Sequence, residues 1–103
     1  MLPAMSLGWL VDWYAQHCDG DWEHQYGIAI DSLDNPGWSL RVDLVGTELE
    51  QRPFDDVQLQ RSKSDWLSCR VVDGRFEAAC GLVNLRAGID VFRAWVEASA
   101  DDV

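Results

Sequence analysis

The densest run of potentially reactive side chains is the segment 18–24, with the sequence CDGDWEH. Carboxylate oxygens suit calcium, and histidine with cysteine suits zinc. However, the segment has neither a complete calcium-loop pattern nor Cys-x-x-Cys or His-x3-His spacing. Two other interpretations are a solvated turn, in which Gly20 stops a helix and Asp21 bonds backbone amides, and a protein-binding patch. We therefore predict no metal and no cofactor here, with a small metal-binding domain around Cys18, Asp19 and His24 kept as an alternative.

Nucleophilic catalysis would require a serine or cysteine paired with a base, and His17 and His24 are the only histidines. No nucleophile elbow or Cys-His signature is present. Residues 69–75 (CRVVDGR) are similar to the active-site loop of rhodanese-type sulfurtransferases, which begins with a nucleophilic cysteine and closes on an arginine. Here the alternation predicts a strand and a tight turn, with Cys69 on the core face. We predict a buried structural cysteine and no catalytic residues, with a sulfurtransferase using Cys69 as the alternative.

The chain contains six tryptophans, and most of them are expected in the core because an indole is a large apolar body. Trp22 is surrounded by acids, and Trp66 follows Asp65 on the polar face of a predicted strand. We therefore predict that Trp22 and Trp66 lie at the surface, where tryptophan is a frequent hot-spot residue of protein interfaces.

The elements that must position these residues follow from hydrophobic periodicity. Helical spacing predicts helices at 6–18 and 85–98, and alternation predicts strands at 25–33, 38–45, 56–61, 66–72 and 75–80. Residues 34–37 (DNPG) and 73–74 (DG) are typical of turns. The predicted fold is α+β, in a single domain at 1–103. It is a meander-like antiparallel sheet of four or five strands, with an N-terminal and a C-terminal helix packed on one face.

Charge restricts the classes of partner. Eighteen acids against eight bases give a net charge of −10, and the first base in the chain is Arg41. Nucleic acid and anionic membranes require basic surfaces, so both are poor partners. The charge either serves solubility alone or favours a basic protein partner. The odd number of cysteines, three, argues against a pure disulfide framework, and the N-terminus lacks the pattern of a signal peptide. We therefore expect a cytoplasmic protein; its oligomeric state does not follow from the sequence.

Long stretches of the chain resemble the immunity protein 53 family of bacterial polymorphic toxin systems. The matching stretches are WLVDWY at 9–14, CDGDWEHQYGI at 18–28, LDNPGW at 33–38, DWLSCR at 65–70 and VFRAWV at 91–96. The resemblance implies a protein that binds and neutralises a cognate toxin domain by stoichiometric occlusion. An acidic inhibitor suits a toxin with a basic cleft, such as a nuclease. The predicted partner-binding residues are Asp19, Asp21, Trp22, Glu23, Asp34, Asp65 and Trp66.

Overall fold

The computed structural model describes residues 6–101, with side chains described as far as Ala98. In chain order, these residues form α1 (Ser6–His17), α2 (Trp22–Gln25), β1 (Ile28–Leu33), β2 (Gly37–Asp43), β3 (Val57–Gln60), β4 (Trp66–Val72), β5 (Arg75–Gly81) and α3 (Leu85–Asp101). The α+β class and the five antiparallel strands predicted from the sequence are confirmed. Within this range, no helix is both long and apolar enough to cross a bilayer.

The sheet has the strand order β1-β2-β5-β4-β3, with every neighbouring pair antiparallel. The predicted meander is therefore wrong. The segment 44–56 carries the chain from the end of β2 to the far edge of the sheet, so β5 returns between β2 and β4. β2 and β5 approach closely at Gly37, where a Cβ atom would lie 2.3 Å from the Cys80 carbonyl oxygen.

One face of the sheet forms the core, and both long helices cover it, as predicted. α3 packs against β2, β4, β5 and α1. It buries Ile89 and Phe92 beside Leu10 and Trp13 of α1, which lie three residues apart and so share a helix face. Alternation along β4 places Leu67 and Cys69 in this core, while the intervening side chains lie on the opposite face of the sheet.

The start of the first strand differs from the prediction. Residues 22–25 form the short helix α2, so β1 begins at Ile28 and not at Gln25. Gly20, in the turn between α1 and α2, has φ +96°, a backbone conformation that glycine adopts without steric cost. The chain thus makes a tight, glycine-dependent turn before it enters the sheet.

Candidate functional site

The acidic segment between α1 and α2 is organised by hydrogen bonds from backbone amides. Asp19 Oδ1 accepts from the N–H groups of Asp21 and Trp22, both at 2.9 Å. Glu23 accepts from the N–H of Asp19 at 2.9 Å and of Gly20 at 2.8 Å. The two carboxylates therefore cap the turn reciprocally. The prediction that Asp21 bonds backbone amides is wrong, because Asp19 and Glu23 fill this role and Asp21 makes no side-chain cap.

These amide contacts also fix the charge of the turn. The backbone N–H groups of Trp22 and then Asp21 lower the pKa of Asp19. The pKa of Glu23 is lowered by its own backbone N–H and by those of Asp19 and Gly20. Both side chains are therefore anionic at neutral pH. Among the described side chains, no group of three His, Cys, Asp or Glu residues is arranged to hold a metal ion.

Trp22 does not lie at the surface, so that prediction is wrong. Its side chain is only 8 % exposed, and its indole N–H donates to the Val45 carbonyl at 2.8 Å. The ring lies edge-on to Trp13 with centroids 6.2 Å apart, and it also contacts Tyr26. The acids around Trp22 concealed this packing in the sequence. The spacing of Trp22 and Tyr26, four residues apart, was the available indication that both rings lie on one side of a helical turn.

The remaining predicted residues lie elsewhere. Asp34 is exposed in the β1–β2 turn. Asp65 pairs with Arg61 through two contacts of 3.1 and 3.2 Å and accepts from the Asn84 amide at 3.0 Å. Arg61 and then Asn84 lower the pKa of Asp65. Trp66 is half-buried on the sheet face away from the helices, as its predicted position on the polar face implied.

The register of the sheet separates the predicted residues into two groups. Trp22 bonds to Val45, just after the end of β2, and so places Asp19, Asp21 and Glu23 at that end of the sheet. Asp34, Asp65 and Trp66 lie at the opposite end, where Gly37 pairs with Gly81. A strand of six residues spans about 20 Å. The seven residues therefore do not form one continuous patch.

The surroundings of Cys69 oppose thiol chemistry. Its side chain is fully buried in the middle of β4, and burial, with a smaller effect of Cys80, raises its pKa to about 12. The thiol is therefore protonated at neutral pH, whereas a nucleophilic cysteine requires the thiolate. The following residues continue the strand into a tight turn at Asp73 and Gly74, both with positive φ. This backbone forms a hairpin and not a loop that wraps around a sulfur atom.

An apolar surface at the first edge of the sheet was not identified from the sequence. Leu7 and Val11 of α1 are each 57 % exposed, and Ile30 of β1 is 37 % exposed beside them. In sequence, all three residues fit the apolar stripes of predicted elements, so periodicity alone assigns them to the core. Only the position of β1 at the edge of the sheet reveals that no further strand or helix of residues 6–101 covers the groove between β1 and α1.

Comparison with known proteins gives one family. The family model described as Immunity protein 53 matches residues 7–97, which include all five strands and most of both long helices. No curated protein and no solved structure matches the chain.

Proposed function

The chain belongs to the immunity protein 53 family, and from this premise we propose that it binds a cognate toxin domain and neutralises it by stoichiometric occlusion. Membership makes it an immunity protein of a toxin system. The match over residues 7–97 is the observation that carries the proposal. The protein would then act wherever the toxin meets its target in the producing cell, for which we propose the cytoplasm.

Charge supports a basic partner. The net charge is −10, and Asp19, Asp21 and Glu23 lie together at one end of the sheet. Such a field accelerates the approach of a basic surface, for example the cleft of a nuclease. We propose these acids and Asp34 as partner-binding residues, with Asp65 and Trp66 as secondary ones. Trp22 is left out because its proposed role required exposure.

Occlusion fits the chain better than enzymatic inactivation of the toxin. The thiol of Cys69, the residue assigned to the alternative enzyme, is buried and protonated. An occluding inhibitor must be present in equal amount to the toxin, whereas an enzyme inactivates many copies. The ratio at which toxicity disappears therefore separates the two mechanisms.

The test begins with capture on the immobilised chain from a lysate of the source cells, followed by low-salt and high-salt washes and mass spectrometry. The recovered toxin domain is then produced alone, and its activity is titrated with the chain. We expect activity to fall linearly to an end point at one chain per toxin. Inactivation at a small fraction of that ratio would contradict occlusion, and a toxin that keeps its activity at a large excess of the chain would contradict the function.

A charge reversal tests the acidic turn. Asp21→Lys is preferred to reversal of Asp19 or Glu23, because these two cap the turn and their loss would also disturb the fold. We expect slower association at low salt and unchanged thermal stability. Asp55→Lys makes the same charge change at another exposed site, next to the opposite edge of the sheet. Equal association rates for the two variants would remove the turn from the interface.

A further inference from the structure

The outer edge of β1 presents backbone groups that pair with no strand of residues 6–101. Among the described strands, β1 pairs only with β2. The Asp43 N–H donates to the Gly27 carbonyl at 3.0 Å, which sets the phase of the ladder. Alternate residues of an antiparallel strand bond to the neighbour, so the N–H and C=O groups of Ile28, Ile30 and Ser32 point away from β2. Three consecutive outward positions are therefore available to another strand.

An apolar groove accompanies this edge. Ile28 and Ile30 form one wall, and the other wall is α1. The groove has a volume of about 330 Å³, and the helix contributes the side chains of Leu7, Leu10, Val11 and Tyr14. A strand added to β1 would place every second side chain on the side of the sheet that faces α1. A strand added at this edge would therefore form backbone hydrogen bonds with β1 and bury apolar side chains in the groove.

The two edges of the sheet differ in a way that favours β1. The opposite edge, β3, has only four residues, and the turn after it contains Arg61 and Lys63. Short edge strands and nearby basic side chains discourage the addition of a further strand. In contrast, β1 has six residues, with no proline and no basic residue. Among the described strands, β1 is therefore the less protected of the two edges.

We propose that an extended segment of the toxin domain adds to β1 as a sixth strand and places alternate apolar side chains in the groove between β1 and α1. This mode of recognition combines main-chain hydrogen bonds with side-chain pockets. The proposal rests on the proposed function, because it assigns the surface that the toxin occupies.

The net charge of −10 favours a basic occupant of the groove. Asp12 and Arg86 are the charged residues that line the adjoining groove, and Asp34 is exposed in the turn after β1, whereas Asp31 lies on the sheet face away from α1. A partner strand with lysine or arginine beside its apolar residues complements this surface. A second copy does not, because it would bring another net charge of −10 to the same edge.

Two variants test the contact with the recovered toxin domain as the probe. Ile30→Lys places a charge in the groove, and Ser32→Pro removes an outward N–H, at an edge position that tolerates proline. Leu59→Lys is the matched control, since Leu59 is 42 % exposed on β3 and Ile30 is 37 % exposed on β1. We expect Ile30→Lys to weaken binding about ten- to hundredfold, Ser32→Pro about tenfold and Leu59→Lys less than about threefold.

Hydrogen exchange measures the same contact without substitution. We expect the amides of Ile28, Ile30 and Ser32 to exchange at least about tenfold more slowly in the complex. Should Ser32→Pro fail to fold, Val11→Lys on α1 replaces it, with the same expected loss as Ile30→Lys. Wild-type neutralisation together with normal binding by these variants would overturn the proposal and leave the proposed function intact. Absence of any neutralisation would overturn both.

Two other occupants are distinguished on the free protein. A dimer in sedimentation equilibrium that Ile30→Lys abolishes would assign the groove to a second copy. A melting temperature several degrees lower after removal of residues 1–4 would assign it to the chain's own N-terminal residues. Either result would overturn the proposal; we expect a monomer and an unchanged melting temperature.

Discussion

The substitution Trp22→Phe separates a core role from an interface role for this tryptophan. Phenylalanine keeps an aromatic ring next to Trp13 but removes the N–H that donates to the Val45 carbonyl at 2.8 Å. It also leaves unfilled part of the volume that the indole occupies in the core. Both losses act on the free protein and require no partner.

The magnitude follows from these two contributions. Loss of the hydrogen bond costs about 1 kcal/mol, and the smaller buried apolar surface costs about another 1 kcal/mol. We therefore expect the free energy of unfolding to fall by about 2 kcal/mol, which for a domain of this size lowers the melting temperature by about 10 °C. Trp66→Phe is the control. Because Trp66 lies on the sheet face away from the core, its replacement should cost less than about 1 kcal/mol.

Urea denaturation followed by far-UV circular dichroism measures the free energy of unfolding, and a binding titration with the recovered toxin domain measures affinity. At a temperature where the variant is folded, Trp22→Phe should bind with nearly wild-type affinity. Unchanged stability together with a tenfold or larger loss of affinity would refute the assignment of Trp22 to the core.

Three further outcomes are expected. Because Arg61 and Asn84 hold the pKa of Asp65 below its usual range, the unfolded chain binds that proton first. The stabilisation by Asp65, present above about pH 4, should therefore be lost as the pH falls through the folded-state pKa. In urea titrations at a series of pH values, the free energy of unfolding of Asp65→Asn should decrease less steeply toward low pH than that of the wild type. Gly81→Ala should destabilise the protein by about 3 kcal/mol, since its Cβ would lie 2.1 Å from the Ser64 carbonyl oxygen. Gly8→Ala in α1 should stabilise the protein slightly, because alanine favours a helix and its Cβ would meet nothing within 4 Å. Thermal melts compare the two variants. Iodoacetamide followed by mass spectrometry should label the half-buried Cys18 before unfolding and the buried Cys69 only after it.

The sequence was informative where the pattern is local. Alternation along β4 correctly placed Leu67 and Cys69 in the core, because the period of a strand assigns its two faces without reference to other strands. Strand order was wrong because hydrophobic alternation states which face is buried but not which strand is the neighbour. The position of β5 between β2 and β4 depends on the path of segment 44–56, a connection without a helical or alternating pattern.

In the candidate site, too, the sequence predicted local features but not contacts between distant residues. The acids of residues 19–23 were found because charge is visible in sequence, yet their partners were not, since the capping bonds of Asp19 and Glu23 depend on the backbone conformation at Gly20. Trp22 was misplaced because its neighbours in sequence are acidic, whereas its neighbours in space are aromatic. Local polarity therefore predicts the exposure of a side chain poorly when the chain turns at that residue.

Charge and apolar contact would control different steps of toxin binding. The acids of the turn, represented by Asp21, act at a distance and so affect the rate of association, and salt weakens this effect. The edge of β1 acts only on contact, so its loss through Ile30→Lys should increase the rate of dissociation. If both surfaces belong to one interface, Asp21→Lys should reduce the association rate and Ile30→Lys should raise the dissociation rate. The double variant should show both changes independently, because the two residues share no contact through which their effects could couple.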